Sequence, residues 1–489
     1  MSVLAIDAGT TGVTALVVTE DGRIDSRGYQ EFTQYFPEPG WVEHDPEEIW
    51  RATLAACRTA LEGAGVAPSC LGITNQRETA VVWDPATLDA PRPAIVWQDR
   101  RTAGICASLR EAGHESRVAE LTGLRLDPYF TGSKFAWMAR HDPGVWEGVT
   151  GGRAVVGTVD SYLVARLTGG ARHVTDPSNA SRTLLYDLAG GGWSAELCEL
   201  FGVPMGALPE IVPNYGDVGR TDPAAFLGLS LPISGLAGDQ QAALFGQTCF
   251  APGDVKCTYG TGSFILINTG SEIVRSDAGL LTTVAWQTPS GEITYALEGA
   301  IFVTGAAVQW LRDGLGLIET APESETLART VPDSGGVVFV PALTGLGAPH
   351  WDPDARGAIL GITRGTTRGH LARATLEAIA FEVRDVVEVM TGAAGLKVPT
   401  LKADGGASGN DLLMQVQADQ LGVPVERPAI QETTALGAAF LAGLGTGLWS
   451  SPEELRTTWN LDRRFEPGGR DGAAYARWLK AVERARSWA

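Results

Sequence analysis

The chain carries one local pattern twice: a short apolar strand, a turn of glycine and hydroxyl residues, and an apolar return strand. The first copy is Val3–Ile6, then Asp7-Ala-Gly-Thr-Thr-Gly12, then Val13–Val18. The second is Lys256–Tyr259, then Gly260-Thr-Gly-Ser263, then Phe264–Asn268. Glycine supplies the dihedrals such turns need and lets a ligand approach the backbone. A unit that recurs half a chain later signals internal duplication, so the expected fold is two α/β domains of like architecture facing each other. Phe250-Ala-Pro-Gly-Asp interrupts a helical pattern that begins at Gln240, which places the boundary near Gly246–Asp254 and the units at 1–248 and 249–489. A length of 489 residues accommodates two domains of that size.

Composition removes several classes of function. Lys plus Arg number 38 and Asp plus Glu 57, a formal net charge of -19. A basic surface for nucleic acid or anionic membrane is therefore not expected. One anionic ligand in a local pocket remains compatible with that balance. Six cysteines without a C-x-x-C pair make neither a disulfide framework nor a zinc site, and the histidines show no metal spacing. The longest apolar run, Leu436–Trp449, is glycine-rich and shorter than the ~18 residues of a membrane span. No basic n-region precedes Asp7, so a signal peptide is not expected and a reduced cytoplasmic setting is.

Five segments carry candidate chemistry. The two glycine hairpins place backbone N–H groups and hydroxyls where phosphate oxygens can be cradled, and a carboxylate at the first, Asp7, suits a Mg²⁺ ion. An ordinary hairpin would have the same composition, but two apposed copies form a clamp. Neither G-x-x-x-x-G-K-[ST] nor G-x-G-x-x-G occurs. Asp239 follows the strand-like Pro232–Leu236 and precedes a helical segment. A helix N-terminus there favours its ionised form and its use as a base, although an N-cap aspartate would read the same way. Arg77 and Glu78 are neighbours, and neighbours on a regular strand face opposite ways. Both address one ligand only if they lie past the strand end, where they offer donors and acceptors to a polyol. A solvated ion pair is the alternative. Trp97, Tyr129 and Phe264 are aromatics near these polar points; each alone reads as core. Finally, Ala403-Asp-Gly-Gly-Ala-Ser-Gly-Asn410 reads as strand and loop before a helix at Asp411–Leu421, a candidate anion site.

These motifs, in this order, resemble the FGGY carbohydrate kinases. Tyr129-Phe-Thr-Gly-Ser-Lys134-Phe-Ala-Trp137 matches the family's first signature. Gly357–Ile362 with His370–Glu377 matches the second. Pro39–Pro46, Ile73–Thr79, Val174-Thr-Asp with Asn179–Thr183, Ala237–Gly246, Thr344–Pro349 and Thr434–Ala439 are most similar to the glycerol-phosphorylating members. The resemblance extends over nearly the whole chain. It implies paired actin-like, ribonuclease H-like domains around a nucleotide cleft, with ATP and Mg²⁺ as cofactors, glycerol as acceptor and a homo-oligomer as the assembly. By the same resemblance, Arg77, Glu78, Trp97, Tyr129, Asp239, Gln240 and Phe264 bind the polyol. Thr10, Thr11, Gly260, Thr261, Gly262, Gly305, Gln309, Gly406 and Asn410 bind the nucleotide. Asp239 and Asp7 are the catalytic and metal-associated carboxylates.

Two positions depart from the family pattern. Ala8 stands where a Gln is usual, and Thr14 where a cation is usual; that loss weakens charge stabilisation near the transferred phosphoryl group. The loop and histidine that serve regulation in some relatives are absent. A xylulose- or ribulose-type kinase is thus the nearest alternative, followed by an actin-like ATPase and a degenerate regulatory relative. Arginine outnumbers lysine 33 to five, and Lys134 is the lone lysine before Lys256. Lying in the first signature, Lys134 is expected to serve a local structural purpose.

Overall fold

The computed structural model describes residues 1–489. Its first sheet contains β1 (Ser2–Ala8), β2 (Gly12–Thr19), β3 (Ile24–Glu31), β4 (Cys70–Asn75), β5 (Tyr215–Arg220) and β6 (Pro232–Gly238), in the spatial order β5-β6-β4-β1-β2-β3. The strands β1, β2 and β3 form an antiparallel meander, whereas β4 runs parallel to β1 and to β6. The second sheet contains β7 (Val255–Tyr259), β8 (Ser263–Gly270), β9 (Leu281–Gln287), β10 (Ile293–Ile301), β11 (Leu401–Asp404), β12 (Val425–Pro428) and β13 (Leu461–Phe465). Its order is β9-β10-β8-β7-β11-β12-β13. Three antiparallel strands, two parallel ones and an antiparallel edge thus recur, with β9 added outside β10. The duplication expected from the two hairpins is present in the whole topology.

Local elements follow from the sequence as expected, with shifted ends. Strand β6 stops at Gly238 because α2 (Asp239–Gly246) starts there; Gly238 is the N-cap and Asp239 the first helical residue. The reading of Asp239 as an N-cap is corrected accordingly. Gly405–Asn410 is a 3₁₀ turn at Gly406–Gly409 rather than an open loop, and the helix Asp411–Leu421 follows it as expected. The apolar run at Leu436–Trp449 proves to be most of a core helix, Thr433–Thr446. No helix is long and apolar enough to cross a membrane.

That core helix joins the two halves. It belongs to the C-terminal half of the chain but packs on β1, β4, β6 and α2. Glycine makes the approach possible: a Cβ at Gly437 would lie 1.8 Å from the Ala242 carbonyl oxygen, and one at Gly72 would lie 2.1 Å from that of Ala438. The buried residues Val3, Ala5, Ala237, Ala242, Ala438 and Phe440 form one apolar cluster across this contact. Burying such surface stabilises by roughly 25 cal/mol per Å². The start of α2, and with it Asp239, is held from both halves.

Candidate active site

The site begins at the end of β4. The strand ends at Asn75, and Glu78 has φ of 60°, in the left-handed region. That turn lets two adjacent side chains face the same space, as the sequence reading required. The loop is tied down at both sides. Gln76 Nε2 donates to the Gly9 carbonyl at 3.0 Å, linking it to the first hairpin. Asn75 exchanges amide hydrogen bonds of 3.0 Å with Asn179.

Arg77 is the centre of the pocket. Its Nε lies 3.0 Å from Asp239 Oδ1, and its Nη1 donates to Gln241 Oε1 at 3.2 Å and to Glu298 Oε2 at 2.5 Å. From Nη2 it donates to Glu298 Oε1 at 3.1 Å and reaches the Tyr129 hydroxyl at 3.4 Å. Gly238 makes room: a Cβ there would lie 2.8 Å from the Arg77 side chain. Arg182 completes the network, donating to Glu78 Oε1 at 2.7 Å and to Glu298 Oε1 at 2.8 Å. Arg77, Glu78, Arg182 and Glu298 are all buried. Burial of such charges is tolerated because each meets an opposite partner. Desolvation raises the Glu78 carboxyl despite both arginines. Desolvation also acts against the charge of Glu298, but Arg182 and Arg77 outweigh it and hold the group below its ordinary value.

Aromatic faces close the pocket. Trp97 packs edge-on against Tyr129 and Phe264, with ring centroids 5.6 and 6.2 Å away. The Trp97 indole N–H donates to the Thr10 hydroxyl at 2.9 Å. One side chain therefore connects the pocket around Arg77 to the first glycine hairpin and to the first residues of β8. Lys134 holds Tyr129 in place, donating to the Pro128 and Tyr129 carbonyls at 2.9 and 2.6 Å. Its ammonium is buried, which lowers its pKa to about 8. The local structural purpose expected of this lysine is to brace the loop.

A second cluster lies at the turn between β7 and β8. Gly260 and Thr261 accept backbone hydrogen bonds from Gly305 at 3.0 Å and Thr304 at 2.8 Å, docking the short helix Gly305–Gln309 on the hairpin. A Cβ at Gly305 would lie 2.7 Å from the Gly260 oxygen, and one at Gly262 would lie 2.2 Å from that of Ile301. The turn before Asp411–Leu421 meets the same hairpin, since a Cβ at Gly405 would lie 2.7 Å from the Tyr259 oxygen. Thr11, Thr261, Gln309 and Gly406 are exposed. Asn410 is engaged within the protein: Oδ1 accepts from the Leu413 amide at 2.9 Å, and Nδ2 donates to Ser324 Oγ at 3.3 Å. The two hairpins share no hydrogen bond; Trp97 is what spans the space from Thr10 to Phe264.

Asp7, at the end of β1, pairs across the hairpin with Thr14. Burial, then the nearby charge of Asp239, raises its pKa to about 7. Arg77 is paired with Asp239, but no lysine or arginine pairs with Asp7 itself. A carboxylate short of countercharge is a hard-oxygen site that suits Mg²⁺, which prefers one or two carboxylates together with phosphate oxygens and water. No group of three or more His, Cys, Asp or Glu residues gathers as an all-protein metal cage.

Models of the FGGY family of carbohydrate kinases match in both halves, the N-terminal domain at residues 2–246 and the C-terminal domain at 255–446. The chain belongs to the FGGY family of carbohydrate kinases. It is 55% identical over 491 residues to the glycerol kinase of Aromatoleum aromaticum, covering 99% of each chain. The structure of Plasmodium falciparum glycerol kinase with ADP superposes with a TM-score of 0.92 at 35% identity, covering 99% of this chain and 98% of that one. A xylulose kinase from Rhodospirillum rubrum gives 0.85 at 27% identity, covering 99% and 98%. The paired, actin-like architecture expected from the sequence is the one found.

Four residues of this FGGY kinase's pocket escaped the sequence reading: Arg182, Glu298, Gln241, which accepts from Arg77, and Lys256, which donates to Gln240 Oε1. Arg182 lies inside a quoted motif, Asn179–Thr183, without any sign of its partner. Glu298 had a weak signal, a single carboxylate in the otherwise apolar Ala296–Ile301.

Proposed function

We propose that the chain catalyses ATP-dependent phosphorylation of glycerol to sn-glycerol 3-phosphate. The observation that carries this reading is the convergence of Arg77, Glu78, Tyr129 and Asp239 on one buried pocket walled by Trp97 and Phe264. Such a pocket supplies donors and acceptors for three hydroxyls and an apolar face for their carbon chain. The glycerol kinases similar to this chain at full length support the choice of acceptor.

In this reading the transfer is direct and in line. Asp239 accepts a hydrogen bond from a terminal hydroxyl, and the proton ends on its carboxylate as the oxygen bonds to the γ-phosphorus of ATP and the bond from that phosphorus to the β–γ bridging oxygen breaks, releasing ADP. Arg77, 3.0 Å away, keeps the carboxylate oriented toward the acceptor. An aspartate is a weak base for an alcohol, yet in a loose transition state the proton leaves late, so position matters more than basicity. Glu78, Tyr129 and Gln240 hold the remaining hydroxyls, and Trp97 and Phe264 exclude water. Thr10, Thr11, Gly260, Thr261 and Gly262 bind phosphates, while Gly305, Gln309, Gly406 and Asn410 border the rest of the nucleotide. Asp7, with Asp239 near it, would hold Mg²⁺, which neutralises phosphate charge when bound. Units 1–248 and 249–489 then carry most of the acceptor and nucleotide sites respectively. The enzyme is taken to act in the cytoplasm as a homo-oligomer, which light scattering tests.

A coupled assay of ADP release tests the activity. Glycerol-dependent turnover with Mg·ATP is expected, and folded protein without it sinks the reading. Thr14 and Ala8 favour a second reading, a ketose kinase of the same family. Equal turnover of xylulose or ribulose would select it.

A further inference from the structure

Lys256, the second residue of β7, is fully buried. Its ammonium donates to Gln240 Oε1 at 2.5 Å and to Thr258 Oγ1 at 2.9 Å. Neither partner is charged. Burying an ammonium without a directly paired carboxylate is costly, so this arrangement calls for a reason beyond packing. The groups acting on it from a distance are Asp404, Cys257, Asp239 and Glu298.

Lysine is a donor only, with no acceptor. An amide facing it must present its carbonyl, and the Gln240 N–H₂ group must then point the other way. That nitrogen donates to no protein group, and Gln240 keeps 7% exposure, with its backbone N–H donating to Asp239 Oδ1 at 2.7 Å. We infer that Lys256 is a positioning residue that locks the Gln240 amide with its two N–H donors toward the acceptor hydroxyls. A flipped amide would set its N–H₂ group against the Lys256 ammonium, donors facing donors with no acceptor between them. Locking it makes one side of the pocket accept only an oxygen with a free lone pair, while Asp239 takes the proton. A site that leaves polar groups unpaired with the wrong ligand discriminates well. This inference rests on the reading of Gln240 as an acceptor-binding residue.

The test is a double-mutant cycle read in steady-state kinetics. Lys256→Met is expected to raise the glycerol KM roughly tenfold with kcat within about twofold, because the Gln240 donors are no longer held in place while the base is untouched. Its melting temperature should equal or exceed that of the unaltered protein, since an apolar side chain replaces an unpaired buried charge. Gln240→Leu should raise KM by a similar factor, and the double variant should be no worse than Gln240→Leu alone. Full additivity in the double variant overturns the inference, as does an unchanged KM in Lys256→Met. An unchanged KM in Gln240→Leu instead removes Gln240 from the acceptor site and the inference with it. Lys256→Ala, which leaves room for water, repeats the cycle if the methionine variant does not fold.

Discussion

The pocket around Arg77 and the glycine hairpins are built from opposite materials. Around Arg77 the site consists of four buried charged side chains, Arg77, Glu78, Arg182 and Glu298, that pair with one another from distant parts of the chain. At Gly260–Gly262 it consists of backbone groups brought close by the absence of side chains. The pocket is therefore sensitive to the loss of a charge, whereas the hairpin is sensitive to the gain of a methyl group. A polyol needs directional donors and acceptors, while a phosphate needs amides and room.

The largest test of this contrast concerns Asp239. Asp239→Asn should lower kcat by about a thousandfold while ADP binding by calorimetry stays near normal, because the proton acceptor is lost and the hairpins are untouched. Near-normal turnover would refute its role.

Glu298→Gln comes next. It leaves Arg77 and Arg182 without their shared carboxylate, and breaking a buried ion network costs about 3–5 kcal/mol. Urea unfolding should show this as a lower midpoint, and an unshifted midpoint would mean that the network is not what holds the pocket.

Gly305→Ala works on the other side. Its Cβ would lie 2.7 Å from the Gly260 oxygen, so the short helix must shift. A rise of roughly tenfold in the ATP KM is expected with the glycerol KM unchanged, for a strain of about 1–3 kcal/mol. Equal rises in both would erase the distinction between the regions.

The smallest effect is pH-dependent. Asp7 has its folded-state pKa raised to about 7. It is neutral in both folded and unfolded states below about pH 4, and its unfavourable charge in the fold grows between there and about pH 7. Asp7→Asn should therefore raise Tm by a few degrees at pH 8, with the gain shrinking toward pH 4. A gain independent of pH would show that Asp7 is not the titrating group. Protonation of Asp7 below pH 7 should also weaken Mg²⁺ binding in the unaltered protein.

Much of this architecture was legible in the residues. Hairpins announce themselves because glycine turns and apolar strands are local patterns, and their repetition predicted the duplicated sheet. Arg77 and Glu78 were legible as a pair that must leave the strand, and the left-handed φ at Glu78 is how they do so. The assignment of Asp239 to a strand-to-helix junction was right, although Gly238 takes the N-cap. Arg182, Glu298 and Lys256 were not legible as site residues. Each is a charge whose meaning depends on what faces it.

The amino-acid sequence by itself determined the two-fold architecture, the glycine turns and the kinship with FGGY kinases, since all three reside in short-range patterns. Only the tertiary structure decided which charges neutralise which. Arg77 and Glu298 are 221 residues apart and meet because two sheets, bridged by the helix Thr433–Thr446, bring them to one buried point. A buried charge is stable only with its partner at hand, and no local pattern in the chain names that partner.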